Sequence, residues 1–190
     1  GYHLGDWLAL DTKPDVYEGG TDKHFIATAY YAYSTSLLRR IAEILGENTD
    51  AKLYAELHGN IVQAFQNEFV TPNGRLISNT QTAHILVLLF ELVKDDVNEK
   101  VFNRLIELLK ENKNHLTTGF IGTPYLNLIL SKFNRHDLAC KLLFYEDYPS
   151  WLYQVKKGAT TIWEHWDGVK EDGTLWNDSM NSYNHYAYGS

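Results

Sequence analysis

Thr80-Gln81-Thr82-Ala83-His84-Ile85-Leu86-Val87-Leu88-Leu89-Phe90-Glu91-Leu92-Val93 predicts a helix that is apolar on nearly every side. Such a helix must be enclosed by others. The next run, about Val97 to Glu111, has the opposite character. Val97, Val101, Leu105 and Leu108 form one stripe, while Asn98, Lys100, Arg104, Glu107 and Lys110 lie away from it, as expected of an outer helix covering an inner one. An enclosed helix followed by a one-sided helix is a helical hairpin with a defined inside.

The pattern extends in both directions. Upstream, Phe25, Ala29, Tyr33, Leu37, Ile41 and Leu45 recur every four residues from about Asp22 to Leu45, with Gly46 as the stop. A second helix is expected from about Asp50 to Val70, capped by Asn48 or Thr49, with Leu53, Leu57, Ile61, Phe65 and Phe69 on one face and Pro72-Asn73-Gly74 ending it. Gly59 inside that helix implies a backbone passing close by. Downstream, Thr123 as N-cap with Pro124 at the first helical position opens a helix to about Phe133. Arg135 to about Tyr145 and Pro149 to about Val155 follow. Beyond Gly158 the chain reads as loop, with Asp167-Gly168 and Asp172-Gly173 as turns or the ends of a small hairpin; Pro14, Gly19 and Gly20 mark another turn near the start.

About seven helices and almost no period-two pattern make the chain all-α. Two architectures fit: an open superhelix of helical repeats, or part of a toroid with inner and outer helical rings. No 34-residue or similar repeat is visible, which counts against the common repeat families.

The formal charge of −7 and a pI near 5.6 argue against a nucleic-acid or anionic-membrane surface, since both need clustered Lys and Arg. No stretch reaches the 18 or so apolar residues of a membrane span. Cys140 is the only cysteine, so no intramolecular disulfide forms, and its apolar surroundings predict a small buried side chain. The eight histidines are scattered without a His-Glu-x-x-His, and neither a Gly-x-Ser-x-Gly nor a phosphate-binding Gly-Lys-Ser/Thr ending occurs, so no metal and no cofactor is expected. Nothing in the sequence names a compartment.

Five Trp and thirteen Tyr are many for 190 residues, and indole and phenol rings suit the C–H faces of sugars as well as helical cores. Two of the tryptophans fall in Gly158-Ala159-Thr160-Thr161-Ile162-Trp163-Glu164-His165-Trp166-Asp167-Gly168. There a carboxylate between two indoles could deprotonate a water beside a sugar ring, or the two tryptophans could simply fill a core. Glu164 is the best candidate base on this reading.

That stretch, together with Gly119-Phe120-Ile121-Gly122-Thr123-Pro124-Tyr125-Leu126, Tyr148-Pro149-Ser150-Trp151-Leu152-Tyr153 and the closing Asn181-Ser182-Tyr183-Asn184-His185-Tyr186-Ala187-Tyr188-Gly189-Ser190, resembles bacterial α-L-rhamnosidases of glycoside hydrolase family 78. The resemblance runs over nearly the whole chain, with four motifs in the family's order. It implies an (α/α)6 toroid, of which about seven helices would form the C-terminal part of one catalytic domain over residues 1–190. It also implies inverting hydrolysis of terminal α-L-rhamnosyl groups. Glu164 falls on the family's general base and His185 on a histidine that hydrogen-bonds the sugar. Trp7 of Gly5-Asp6-Trp7 becomes a pocket wall, with Trp163, Trp166 and Asp6 as further substrate contacts, although Asp6 and Asp167 could instead brace loops. The family's general acid has no match here and is expected upstream, so the isolated chain should be nearly inactive. Both chain ends read as lying inside motifs, as expected of a piece of a larger enzyme whose open flanks favour self-association. The expected partner is a rhamnosylated glycoside or polysaccharide. Another exo-glycosidase on the same six-hairpin fold, or a non-catalytic helical-hairpin interaction module, stands as the alternative.

Overall fold

The computed structural model describes residues 3–13 and 16–189; Pro14 of the expected turn, Gly1 and Tyr2 at the start, and Ser190 of the closing motif lie outside them. Among these residues the helices are α1 (Lys23–Leu45), α2 (Asn48–Phe69), α3 (Gln81–Leu89), α4 (Asp95–Glu111), α5 (Thr123–Lys132), α6 (His136–Phe144) and α7 (Trp151–Lys156), followed by a 3₁₀ turn at Tyr186–Tyr188. No β-ladder longer than an isolated bridge is present among them, and the bridge Val169–Leu175 closes the small hairpin expected after residue 158.

The helices form three hairpins, α1 with α2, α3 with α4 and α5 with α6, while α3 also packs against α1 and α5. The inner row is α1, α3 and α5, and α7 packs beside α6. Burial explains the order. Gln81 to Leu88 are all buried, whereas α4 buries Val101, Phe102, Leu105, Ile106, Leu108 and Leu109 and turns its charges outward. In the first hairpin Phe25, Phe65 and Phe69 meet at ring separations of 4.8, 5.4 and 5.1 Å.

Side-chain caps open α1, α3 and α7. Asp22 accepts from the Phe25 N–H, Thr80 from the Ala83 N–H and Ser150 from the Tyr153 N–H. Thr21 and Thr80 share a hydroxyl hydrogen bond of 2.6 Å, and the Asp22 N–H donates to Ser78 Oγ, so α1 and α3 start together.

The structure corrects several expectations. Helix α2 begins at Asn48 itself with Glu47 before it, so neither Asn48 nor Thr49 caps it by side chain. Gly122, rather than Thr123, precedes α5. Nothing lies within 4 Å of where a Cβ would sit on Gly59, so no backbone approaches that helix. Cys140 is exposed, because α6 buries only Ala139 and Leu142. Helix α3 stops at Leu89: Glu91 turns left-handed (φ 57°) and the Leu92 N–H returns to Val87 O, so Leu92 and Val93 stay buried outside the helix. Finally, the stripes of α1 and α2 are buried only in part, with Ile41, Leu45 and Leu53 all more than half exposed.

Candidate active site

The loops before α1, α3, α5 and α7 meet at the end where the inner helices start. Their junction is Asp6. Its carboxylate, fully enclosed, accepts from the Thr82 hydroxyl on α3 and from the N–H groups of Gly119 and Ile121 ahead of α5, the last two at 2.9 and 2.8 Å. Burial pushes this carboxyl above its ordinary range, although three donors pull the other way. Gly119 has to be glycine: a Cβ there would overlap the Trp7 carbonyl oxygen, which accepts the Phe120 N–H. The expectation that Asp6 touches substrate is thereby corrected, since no face of it is open.

Trp7 follows, half-buried, with Tyr17 edge-on to it at 5.5 Å. Leu8 then takes the left-handed conformation (φ 59°), which is uncommon without glycine. It is held there by its N–H to Tyr17 O and by the Tyr188 hydroxyl on its carbonyl.

Glu164 lies on the segment after α7, and the closing stretch runs beside it. The Glu164 N–H donates to Ser182 O at 2.8 Å, the Ser182 N–H donates back to Glu164 Oε2 at 2.9 Å, and the His185 N–H donates to Ile162 O. Two segments about twenty residues apart are thus zipped together with Glu164 between them. Its other oxygen, Oε1, accepts no hydrogen bond from the described residues, and the residue is half-buried.

His185 stacks on Phe120 at 4.9 Å, and its Nδ1 accepts from the Ala187 N–H. In the neutral ring this puts the proton on Nε2, which makes that nitrogen a donor. Phe120 joins the Trp7 loop to the His185 segment, and that segment is paired with the one carrying Glu164, so all three lie at the same end of the helical array, its mouth.

Trp163 and Trp166 do not line that mouth. Both are buried, at 5% and 1% exposure. Trp163 packs edge-on to Tyr183, and Trp166 is stacked on Tyr188 at 4.2 Å with Trp151 at right angles. They form the wall behind the loop, and Trp166 also bounds the cleft that opens beside it.

Three residues that the sequence reading left unassigned hold this wall. Gln154, buried on α7, accepts from the Trp163 N–H and donates to His165 O. Tyr188 fills the space between Trp166 and Phe120. His165 lies under Trp176 at 3.5 Å, and burial lowers it to about 4 despite the nearby Glu164 carboxylate. The available signal was composition: Trp176 was the one tryptophan outside every motif. A cleft of about 580 Å³ opens beside the loop, bounded by Leu8, Tyr17, Tyr148, His165, Asp167 and Trp176 among others.

The whole chain, residues 1–190, matches the bacterial alpha-L-rhamnosidase 6 hairpin glycosidase domain. It is 41% identical over 186 residues to an alpha-L-rhamnosidase of Streptomyces avermitilis and 40% identical over 189 residues to one of Formosa agariphila; 98% of the chain is covered in each case, but 17% and 20% of those relatives. Among solved structures, the Streptomyces avermitilis alpha-L-rhamnosidase complexed with L-rhamnose superimposes with a TM-score of 0.91 over 99% of the chain and 17% of that protein, at 40% identity. The alfa-L-rhamnosidase from Aspergillus terreus gives 0.94 over all of the chain and 22% of that protein, at 34% identity. The hairpins are therefore those of a six-hairpin glycosidase, and the chain belongs to the bacterial α-L-rhamnosidase six-hairpin domain family.

Proposed function

We propose that this chain forms the water-activating side of an inverting α-L-rhamnosidase that removes terminal non-reducing α-L-rhamnosyl groups. The observation that carries the reading is Glu164: a half-buried carboxylate with one oxygen fixed by Ser182 N–H and the other without a partner among the described residues, at the mouth shared with Trp7 and His185. Support comes also from relatives that are named alpha-L-rhamnosidases and from one solved with L-rhamnose.

In the reaction Glu164 Oε1 takes a proton from water as the water oxygen bonds to the anomeric carbon. The glycosidic C–O bond breaks on the opposite face, and its oxygen receives a proton from a carboxylic acid outside these 190 residues. The Ser182 N–H keeps the carboxylate oriented, which raises the fraction of encounters with useful geometry. His185 Nε2–H donates to a ring hydroxyl, and Trp7 offers its indole face to the sugar's C–H groups. Trp163, Trp166 and Asp6 act from behind, by holding the loops that carry these groups.

The test is Glu164→Gln in the full enzyme containing this chain, with 4-nitrophenyl α-L-rhamnoside as substrate. The expected loss in kcat is about 10²–10⁴-fold, and the wild type should release β-L-rhamnose first, as seen by proton NMR. Turnover within a few-fold of wild type would remove Glu164 from the role, and retained α-configuration would remove the inverting mechanism.

A further inference from the structure

A second cleft, of about 600 Å³, opens on the flank of the α3–α4 hairpin, between the α2–α3 connection and α4. It shares no bounding residue with the mouth that carries Trp7, Glu164 and His185. Its rim differs from the rest of a chain of net charge −7: Arg75, Lys100 and Arg104 bound it, and no carboxylate among the described residues does. Arg104 is already committed, with Nε donating to Asn79 Oδ1 and the rest of its guanidinium on Glu107 and Glu111. Arg75 and Lys100 are exposed and have no ion partner among the described residues. Backbone bonds fix their setting. The Thr71 N–H donates to Arg75 O, the Arg75 N–H to Thr71 Oγ1 and the Ile77 N–H to Phe69 O, closing a tight turn at Gly74 (φ 81°). A Cβ on Gly74 would lie 2.9 Å from Val97 Cγ1 and 3.8 Å from Lys100 Cδ, so the glycine lets α4 bring Lys100 up against the turn that carries Arg75.

The floor combines two aliphatic side chains with one acceptor. Leu76, Val101 and His84 are buried beneath the rim, and the His84 Nδ1–H donates to Thr80 O at 2.7 Å. Burial keeps the ring neutral by lowering it to about 4, which leaves Nε2 as a lone-pair acceptor that receives no hydrogen bond from the described residues. On the rim Asn79 has spent its oxygen on Arg104 and keeps its amide N–H groups to donate. A bare inorganic anion would satisfy the cations but face the His84 lone pair and leave Leu76 and Val101 uncovered. A nucleotide would find no Trp, Tyr or Phe on the cleft for its base to stack on. An acidic sugar meets every group, because it joins an anion to hydroxyls and C–H faces on one ring, and the volume is within the ~300–1,000 Å³ usual for small-molecule sites. We propose that this cleft is a non-catalytic binding site for a uronic acid residue of an acidic glycan: Arg75 and Lys100 take the carboxylate, a ring hydroxyl donates to His84 Nε2 and a C–H face covers Leu76 and Val101. It stands independently of the role given to Glu164.

The experiment titrates the full enzyme containing this chain with methyl β-D-glucuronide, methyl β-D-glucoside and inorganic phosphate by isothermal calorimetry, alongside Arg75→Gln and Lys100→Gln. Both side chains are exposed, a melting temperature matching wild type checks that each variant folds, and either variant alone carries the test. The glucuronide should bind saturably and about tenfold or more tighter than the glucoside or phosphate. Each substitution should weaken it about tenfold, while turnover of 4-nitrophenyl α-L-rhamnoside stays at the wild-type value. No saturable binding, equal affinity for the glucoside, phosphate bound as tightly as the glucuronide, or binding undiminished by substitution overturns the proposal. Competition between the glucuronide and the aryl rhamnoside would place the acidic sugar in the mouth and overturn it as well. If the wild type cleaves no rhamnoside yet binds the glucuronide through Arg75 and Lys100, the rhamnosidase reading fails while this site stands.

Discussion

Asp6 and Glu164 are carboxylates at the same end of the helical array, and they are held in opposite ways. Three donors and no open face surround Asp6, whereas a single backbone N–H fixes Glu164 and leaves one oxygen uncommitted. Saturation makes a carboxylate a structural joint; one unfilled acceptor position on an otherwise oriented group makes it available to a water. Both resemble functional acids in sequence, and the count of donors around each separates them.

The contrast can be broken most severely at Glu164. Glu164→Gln should abolish about 10²–10⁴-fold of turnover while the melting temperature moves little, because the amide oxygen can still accept from Ser182 N–H. Asp6→Ala should do the reverse. It strands the Thr82 hydroxyl and the Gly119 and Ile121 N–H groups in a buried site, a loss of about 3 kcal/mol or more, read as a fall of roughly 6–12 °C in melting temperature. If Asp6→Ala melts like wild type but loses activity, the division of labour is wrong.

Acid sharpens the comparison further. Burial lowers His84 and His165 to about 4, below the ordinary imidazole value. The unfolded chain therefore binds more protons between about pH 6.5 and 4, so the stability these rings contribute is complete above that window and lost as pH falls through it. The size is on the order of 3 kcal/mol for each ring. Asp6, Asp11 and Asp167, pushed up by burial, act in the opposite sense and blunt the slope. His84→Gln should flatten the decline in melting temperature between pH 7 and 4.5; an unchanged slope would exclude His84 as a contributor. The smallest effect is a reference far from both carboxylates: Gly59→Ala in α2, with open space around it, should stabilise by about 0.5–1 kcal/mol through helix propensity alone, measured by urea denaturation.

How much of this was legible follows from what periodicity encodes. The α3 and α4 patterns identify an inner and an outer helix because burial is written directly into residue type. Periodicity names a helix face but not how far the neighbour reaches. Helix α1 has 23 residues and α3 has 9, about 35 Å against about 14 Å at the usual rise, so Phe25 and Ala29 are covered while Ile41 and Leu45 are not. Cys140 was misread for the same reason. In the site, residue chemistry marked Glu164 as a candidate and the tryptophans as important, and the family resemblance added His185, but Trp163 and Trp166 could equally stack on sugar or on Tyr183 and Tyr188. Gln154 left no trace, since an amide joining Trp163 to His165 is visible only when both ends of the bridge are in place.

The hydrogen bond from the Tyr188 hydroxyl to Leu8 O spans 180 residues, and that has a consequence during synthesis. Helical hairpins can form as they emerge, from contacts between near neighbours in sequence. The mouth cannot: at roughly 5–20 residues per second, Leu8 and Trp7 wait about 9–36 s for Tyr188 to leave the ribosome. Throughout that interval the loop around Leu8 lacks its last fastening, and the aromatic wall it meets has not been made. The region proposed for chemistry is thus completed only after the hairpins between Leu8 and Tyr188 have been made.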